Sequence, residues 1–434
     1  MKNRRITTRF APSPTGAFHV GSARTALFNF LFARQSGGSM ILRIDDTDKD
    51  RSDKKYEQDI LSGLDWLKIN YDKLYHQSER TNIYHQALIK LLDEGSAFWS
   101  REANGQRQEV IRLKNPGQLI RFNDLIRGEI SFETSDLGDF VIAKDLNSPL
   151  YHLASVVDDG EMEVTHVIRG EDHISNTPRQ ILIAKALGYD LPDYAHIPLI
   201  LAPDRSKLSK RHGATAVLDY QKLGYLPEAL INFIVRLGWS HQAGQNQDPD
   251  QEIFSLSELI DRFDLSAIQK SPAIFDINKL NWFNQAYIKN SPTEVLTKAI
   301  KQTLPQISTD KANKIAPLVA SKINTLKDIE KIITTGELAF LFNRPKINKV
   351  MLKNTDHFDK LIDLLSKLPE ADFSNDKIKE AIWDYASQEG RGCVLWPMRV
   401  ALTGLEKSPD PFSVASALGK NETLNRLSLA KQAK

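Results

Sequence analysis

The chain has 434 residues, enough for about two to four domains of ordinary size with their own hydrophobic cores. Hydrophobic residues make up 41% and charged residues 26%, which excludes an intrinsically disordered chain. The 57 basic and 55 acidic side chains give a formal net charge of +2, which excludes a histone-like polycation but not a local basic face.

The single cysteine and the lack of long apolar runs indicate the cellular compartment in which the protein works. Cys393 alone cannot form an internal disulfide or a multi-cysteine metal site, and it fits a reducing cytosol. We expect its thiol to be a buried apolar filler. Residues 1–8 are basic but no signal-peptide core follows, and no apolar run approaches the ~20 residues that cross a bilayer. We therefore expect a soluble cytoplasmic protein without membrane contact.

The first hundred residues predict a βαβ unit. Residues 6–11 favour a strand that ends at the breakers Pro12-Ser13-Pro14-Thr15-Gly16. Apolar residues between positions 23 and 31 have helical spacing, and Gly37-Gly38 ends that helix. Residues 40–45 alternate with the two-residue period of a strand. This order predicts a parallel sheet.

The pattern changes twice further along the chain. Short β-like runs separated by turns predict a small insertion at residues 97–149. The α/β pattern then resumes, with a turn expected at Asp158-Asp159-Gly160. Thr177 and Gln180 have the spacing of a capping box for a helix at 178–187. After about residue 226 helical periodicity dominates.

The first candidate for chemistry links the first strand to the first helix, Arg9-Phe10-Ala11-Pro12-Ser13-Pro14-Thr15-Gly16-Ala17-Phe18-His19-Val20-Gly21-Ser22. A helix N-terminus offers free N–H groups and a positive dipole end to a phosphate. Gly21 permits close backbone approach, and His19 can donate to a phosphate oxygen. A loop shaped only by its prolines and glycines would have the same spacing, so the motif alone leaves both interpretations open.

The second candidate is basic, Arg205-Ser206-Lys207-Leu208-Ser209-Lys210-Arg211-His212-Gly213. Four cations within seven residues suit a polyanion, and lysine is a suitable point charge for a pyrophosphate leaving group. Taken alone, such a run is also typical of solvated surface.

Together the two motifs resemble the two signatures of class I aminoacyl-tRNA synthetases, and Ala11-Pro12-Ser13-Pro14-Thr15-Gly16 is similar to the glutamyl branch of bacterial type. The resemblance extends from residue 9 to about 285. It includes Arg43-Ile44-Asp45-Asp46-Thr47-Asp48, Gln77-Ser78-Glu79-Arg80, Tyr151-His152-Leu153-Ala154 and Val167-Ile168-Arg169-Gly170-Glu171-Asp172. In the C-terminal part, Arg399-Val400-Ala401-Leu402-Thr403-Gly404 is the best match.

The resemblance implies an α/β fold and a domain order. A doubly wound, Rossmann-like parallel-sheet catalytic domain would comprise residues 1–96 and 150–204, with a shortened connective, acceptor-binding insertion at 97–149. A stem-contact domain with the basic signature loop would follow at 205–288. All-α anticodon-binding domains would occupy residues 289–366 and 367–434.

The resemblance also implies the activity and its partners. L-glutamate would be attached to the 3′ end of tRNA(Glu) through glutamyl-adenylate, with release of AMP and pyrophosphate. ATP would bring Mg²⁺. Charging of tRNA(Gln) as a second acceptor stays open. We expect a monomer.

Carried over residue by residue, the family implies three groups of site residues. Those that would line the glutamate site are Arg9, Ala11, Ser13, Asp45, Tyr151 and Arg169, with Arg169 on the side-chain carboxylate and Asp45 on the α-ammonium. Those that would bind ATP are His19, Gly21, Ser22, Asp172, His173, Leu208 and Lys210. The catalytic residues would be His19, Lys207 and Lys210, which stabilise charge on the transferring phosphoryl group.

The chain departs from the family pattern in places. Asp45 stands where glutamate is usual, and Ser155 replaces a common asparagine. The shortened insertion lacks the cysteines that some relatives use for zinc, so we expect no structural zinc.

Three alternatives stay in view. A glutaminyl synthetase typically has Glu-Pro-Asn-Gly in place of Ser13-Pro14-Thr15-Gly16 and ends in β-barrels. A paralogue that attaches glutamate to a tRNA base would lack residues 290–434. A catalytically silent RNA-binding paralogue would not need His19, Lys210 and Arg169.

Overall fold

The structure is a computed structural model that describes residues 4–48, 50–101, 109–206, 208, 215–241, 248, 250–334, 336–347 and 349–432. Two compact units share the chain. One comprises Met1–Lys222 and Pro227–Leu280, and the other comprises Leu223–Leu226 and Asn281–Lys434.

The first unit contains the strands. Its elements in chain order are β1 (Thr7–Phe10), α1 (Val20–Gln35), β2 (Ser39–Ile44), α2 (Lys54–Trp66), β3 (Lys73–His76), α3 (Thr81–Asp93), β4 (Ala97–Arg101), β5 (Glu109–Leu113), β6 (Leu119–Asp124), β7 (Gly128–Glu133), β8 (Phe140–Ala143), α4 (Tyr151–Glu161), β9 (His166–Gly170), α5 (Thr177–Leu187), β10 (Asp193–Ile197), β11 (Ile200–Leu201), α6 (Val217–Lys222), α7 (Pro227–Arg236), α8 (Leu256–Arg262) and β12 (Ala273–Ile274).

The central sheet has seven strands in the order β3-β2-β1-β9-β10-β6-β7. All neighbours are parallel except β6 and β7, which form an antiparallel hairpin. The strand order reverses beside β1, which pairs with β2 on one side and with β9 on the other. The predicted doubly wound parallel sheet is confirmed. In such sheets ligands bind where the order reverses, outside the carboxyl ends of the strands.

The inserted segment is divided between two sheets. Strands β4, β5 and β8 form an antiparallel sheet, whereas β6 joins the central sheet through β10. Two of the five strands in the predicted insertion, β6 and β7, therefore extend the central sheet. The functions assigned to the individual domains stay predictions.

The predicted turn at Asp158-Asp159-Gly160 is wrong, because these residues lie inside α4. Asp158 is buried and accepts hydrogen bonds from Arg80 Nε at 2.6 Å and the Tyr84 hydroxyl at 2.8 Å. A Cβ on Gly160 would lie 2.6 Å from Cγ of Tyr189, so this glycine permits close packing. The composition indicates a turn, but buried ion pairing and packing favour the helix.

The second unit is helical. In chain order, the boundary helix and those after it are α9 (Ile277–Asn290), α10 (Thr293–Thr303), α11 (Thr309–Ala320), α12 (Asp328–Thr334), α13 (Lys349–Leu352), α14 (Phe358–Ser366), α15 (Asn375–Glu389), α16 (Arg391–Thr403), α17 (Pro411–Leu418) and α18 (Lys420–Gln432). One cluster of buried side chains extends from Ile288 to Ala430. The two predicted anticodon-binding domains therefore share one hydrophobic core.

The expectation of a buried Cys393 is wrong, because its side chain is exposed. In α16 the residues that face the core include Val394, Met398 and Ala401, which recur at helical spacing. Cys393 lies beside this face, one position before its first member.

Among the helices of the described ranges, each is too short or too polar to span a bilayer.

Candidate active site

A cavity of about 660 Å³ lies in the first unit at the carboxyl ends of β1 and β9. Phe10, the last residue of β1, and Gly170, the last residue of β9, both line it. These two strands are neighbours at the point where the strand order reverses. The cavity thus occupies the position at which doubly wound sheets bind ligands.

Twelve predicted site residues line this one cavity. They come from both groups, namely Arg9, Ala11, Ser13, Asp45, Tyr151 and Arg169 for glutamate, and His19, Gly21, Ser22, Asp172, His173 and Leu208 for ATP. The two remaining predicted residues, Lys207 and Lys210, lie outside the described residues.

His19 is the N-cap of α1. Its Nδ1 accepts a hydrogen bond from the backbone N–H of Ser22 at 3.2 Å. In a neutral imidazole the proton then resides on Nε2, which lies 3.1 Å from the Ser22 hydroxyl. A Cβ on Gly21 would lie 3.1 Å from Nδ1 of His19, so glycine leaves space for the ring. The helix N-terminus therefore combines the positive end of the helix dipole with an Nε2–H group, a combination suited to phosphate oxygens.

The residues that follow the basic motif adjoin this N-terminus. The Thr215 carbonyl accepts from the Val20 N–H at 3.0 Å, and Val217 N–H donates to the Phe18 carbonyl at 2.8 Å. Leu208 and Thr215, which flank residues 209–214, both line the cavity. The two sequence motifs thus meet at one site.

Arg43 is the centre of a buried ion network on the cavity wall. Its guanidinium is fully buried and donates to Asp45 at 2.7 Å and to Asp159 at 2.7 Å. Burial alone would lower the pKa of Arg43, but the carboxylates of Asp45 and Asp159 outweigh it and raise the pKa. Burial likewise acts to raise the pKa of Asp159, but the cations of Arg9 and Arg43 hold it below the usual value.

The two departures from the family pattern both contact Arg43. Asp45 accepts from Arg43 through both carboxylate oxygens, and the Ser155 hydroxyl accepts from Arg43 Nη2 at 3.3 Å. Burial raises the pKa of Asp45 to about 6, although Arg43 opposes the shift. Above pH 6 Asp45 is therefore mainly an anion paired within the chain, with 6% of its surface exposed. A ligand ammonium would share this carboxylate with Arg43.

Arg169 is buried at the end of β9 and is held by three side chains. Its Nη1 donates to Gln180 Oε1 at 2.7 Å, its Nη2 to Thr177 Oγ1 at 2.8 Å, and its Nε to His196 Nε2 at 3.1 Å. Burial lowers the pKa of Arg169, but an arginine stays protonated at neutral pH.

The predicted capping box at Thr177 and Gln180 is wrong. The N-cap of α5 is Asn176, which makes no side-chain capping hydrogen bond. Thr177 and Gln180 instead bind Arg169, because a buried guanidinium needs acceptors more than an exposed helix end does. The predicted helix itself is confirmed, and it ends at Gly188 in the left-handed conformation.

Tyr151 and His173 line the cavity together with Arg169. The Tyr151 hydroxyl is 3.3 Å from His173 Nδ1. Burial, together with the positive charge of Arg169, lowers the pKa of His173 to about 4, so the imidazole is neutral at physiological pH. A neutral ring beside a cation leaves the positive charge of the site to its arginines, Arg169 among them.

Four residues of this region have roles that the sequence did not indicate, namely the buried Arg43, Thr177 and His196 and the partly buried Asp159. The strand alternation places Arg43 on the same face as Asp45, which was a usable signal. The other three contacts join residues distant in sequence or hidden by a local pattern. Within the described residues, no group of three or more His, Cys, Asp or Glu side chains could hold a metal ion. The prediction about zinc stays a prediction.

Comparison with known proteins identifies the family. Residues 5–106 and 99–282 match the family described as tRNA synthetases class I (E and Q), catalytic domain, and residues 294–431 match an anticodon binding domain. The glutamate–tRNA ligase of Nitrosospira multiformis is 40% identical over 463 residues, covering 97% of this chain and 98% of the relative. That of Desulforamulus reducens is 38% identical, covering 98% and 99%.

A solved structure agrees with these matches. The crystal structure of a glutamate tRNA ligase from Elizabethkingia meningosepticum in complex with its amino acid has a TM-score of 0.80 at 31% identity, covering 99% of each chain. This chain belongs to the class I tRNA synthetases and, within them, to the glutamate–tRNA ligase family. The resemblance and the fold class inferred from the sequence are confirmed.

Proposed function

We propose that this protein attaches L-glutamate to the 3′ end of tRNA(Glu) with ATP, through a glutamyl-adenylate. The observation that carries this proposal is the single cavity lined by the residues assigned to glutamate and by the described residues assigned to ATP. A buried arginine, Arg169, offers a cation to a side-chain carboxylate, and the N-terminus of α1 offers its positive dipole end and the His19 imidazole to phosphate.

The reaction needs no protein nucleophile. An oxygen of the glutamate α-carboxylate attacks the α-phosphorus of ATP, and the bond to pyrophosphate breaks in line. A hydroxyl of the terminal ribose of tRNA then attacks the activated carbonyl carbon and AMP leaves. The protein would contribute positioning and charge stabilisation. Mg²⁺ would enter with ATP as part of the substrate.

The glutamate contacts proposed here are Arg9, Ala11, Ser13, Asp45, Tyr151 and Arg169. Arg169 would bind the side-chain carboxylate, and Asp45, shared with Arg43, would accept from the α-ammonium. The proposal includes a monomeric enzyme that works in the cytoplasm, where charged tRNA is used. Charging of tRNA(Gln) is the open alternative for the second acceptor.

Aminoacylation of purified tRNA pools tests the proposal. We expect labelled glutamate, and not labelled glutamine, to enter acid-precipitable tRNA in an ATP-dependent manner. Hybrid selection of tRNA(Glu) and tRNA(Gln) from the product then identifies the acceptor. Absence of any ATP–pyrophosphate exchange in the presence of tRNA would instead favour the silent RNA-binding paralogue.

Two variants of His19 separate its role in the helix cap from its role with ATP. Asparagine is a good N-cap residue, whereas alanine removes the cap at a cost of about 1 kcal/mol of stability. We therefore expect His19→Asn to unfold near the wild-type temperature and His19→Ala to unfold earlier. Both variants lack the Nε2 donor, so we expect both to slow adenylate formation by about 10- to 100-fold.

Pyrophosphate exchange and thermal unfolding of the three proteins measure the two effects. If His19→Asn keeps the wild-type exchange rate, the imidazole serves only the helix cap.

A further inference from the structure

Three buried side chains form a row across three adjacent strands. Asp124 lies on β6, His196 on β10 and Arg169 on β9, and His196 is in register with Arg169. His196 Nδ1 lies 2.6 Å from Asp124 Oδ2, and His196 Nε2 lies 3.1 Å from Arg169 Nε. The side chains of Asp124 and His196 are completely buried. Asp124 comes from the inserted segment, so this segment is connected to the cavity through His196 and then Arg169.

The chemistry of the three groups fixes the protons. Arginine can only donate, so Nε2 of His196 must accept from Arg169. Nδ1 of His196 then carries the proton and donates to Asp124. Burial would raise the pKa of Asp124, but the hydrogen bonds from His196 and from the backbone N–H of Arg127 hold it below the usual value. Burial lowers the pKa of His196, against the effect of Asp124, so the imidazole is neutral.

We propose that Asp124 and His196 are positioning residues, which hold the Arg169 guanidinium in the orientation that binds the substrate's side-chain carboxylate. The inference rests on the proposed function, because that function assigns Arg169 to this carboxylate. Neither residue lines the cavity, so both act through Arg169.

The geometry explains why this third support matters. Gln180 and Thr177 each take one hydrogen of the two Nη groups, and His196 takes the Nε hydrogen, with its Nε2 3.2 Å from the Thr177 hydroxyl. Three acceptors at three nitrogens fix both the plane and the rotation of a planar cation. Without an acceptor for the Nε hydrogen, the guanidinium can rotate about its Cδ–Nε bond, and the Nη hydrogens that face the cavity are no longer held in one direction.

Asp124→Asn is the sharpest single test, because it changes which ring nitrogen of His196 carries the proton and leaves the histidine in place. The asparagine amide would donate to His196 Nδ1, which moves the imidazole proton to Nε2, where it faces the Arg169 Nε–H. In pyrophosphate exchange with tRNA present, we expect the KM for glutamate to rise at least about 10-fold, with the KM for ATP within about twofold. Asp136→Asn, an exposed position of the same segment, is the matched control.

A double variant distinguishes positioning from a structural role. In His196→Gln the side-chain Oε1 can accept a hydrogen bond from Arg169. This side chain has no tautomers, so the residue at position 124 cannot determine where its proton lies. We therefore expect Asp124→Asn to have at most about a threefold effect on the glutamate KM when His196→Gln is present. A role of Asp124 in folding alone would give the same effect in both backgrounds. Thermal unfolding of each variant accompanies the kinetics.

The outcomes separate this inference from the proposed function. A wild-type protein that does not activate glutamate contradicts the proposed function itself. A wild-type protein that does, with Asp124→Asn folded and its glutamate KM within twofold of wild type, overturns the positioning role. Equal effects of Asp124→Asn in both backgrounds would overturn it as well.

Discussion

Replacing Arg169 with glutamine is expected to lower kcat/KM for glutamate activation by more than about 100-fold and to narrow the preference for glutamate over glutamine. The two amino acids are nearly isosteric, so the shape of a cavity cannot separate them. A carboxylate accepts two hydrogen bonds from a guanidinium fork, whereas an amide has one acceptor oxygen and presents an N–H₂ group to a cation. A guanidinium left half-paired costs on the order of 2–4 kcal/mol, or about 30- to 1,000-fold in discrimination.

The hydrogen bonds of Arg169 leave the fork available. Gln180 and Thr177 take one hydrogen from each Nη group, and His196 takes the Nε hydrogen. Of the remaining two hydrogens, one makes only a long contact of 3.4 Å, from Nη2 to the His173 carbonyl. Each Nη group can therefore still offer one hydrogen to a ligand carboxylate.

Two further variants make this experiment decisive. Arg169→Lys keeps the charge but loses the fork, so we expect its preference for glutamate to lie between those of wild type and Arg169→Gln. Arg179→Gln is the matched control, because Arg179 is the nearby arginine that packs on Phe140 and does not line the cavity. A folded Arg169→Gln enzyme that keeps the full wild-type preference would mean that another residue recognises the side chain.

The parts of the fold that local patterns determine were predictable. The residues of strand β2 alternate with a two-residue period, and the apolar residues of α1 have helical spacing. Gly188 ends α5 because its φ of 76° is unfavourable for other residues. The two motifs could be assigned to one site because together they resemble the two signatures of one synthetase family, not because of any local pattern.

The features that the sequence predicted wrongly depend on buried charged groups. Thr177 and Gln180 fit a local capping pattern, but only the fold reveals that a buried guanidinium lies within 2.8 Å of both. Asp158 and Asp159 have a turn composition, yet pairing with Arg80 and Arg43 keeps them inside a helix. The partners are separated by 78 and 116 residues, so no local pattern contains the information.

Lys210→Ala is expected to reduce adenylate formation by more than about 100-fold, because one preorganised charge at a phosphoryl site typically contributes a few kcal/mol in the transition state. Lys210 lies outside the described residues, but Leu208, two positions earlier in the same motif, lines the cavity. On the far side of the motif, the Thr215 carbonyl binds the Val20 N–H in the first turn of α1. These flanking contacts support a role for the lysine at the phosphates.

The comparison needs a control lysine near Lys210 in the sequence whose loss should leave adenylate formation unchanged. Lys222→Ala serves as this control, since Lys222 is exposed at the end of α6 and pairs with Asp219 at 3.5 Å. Pyrophosphate exchange with tRNA present measures the adenylate step, and thermal unfolding should give the same midpoint for both variants and wild type.

We also expect Lys210→Ala to affect kcat more than the KM for glutamate, because the charge acts on the phosphoryl group and not on the amino acid. A Lys210→Ala enzyme that retains more than about a tenth of the wild-type exchange rate would exclude Lys210 from the chemical step, and the charge would have to come from another cation, with Lys207→Ala as the next variant to measure.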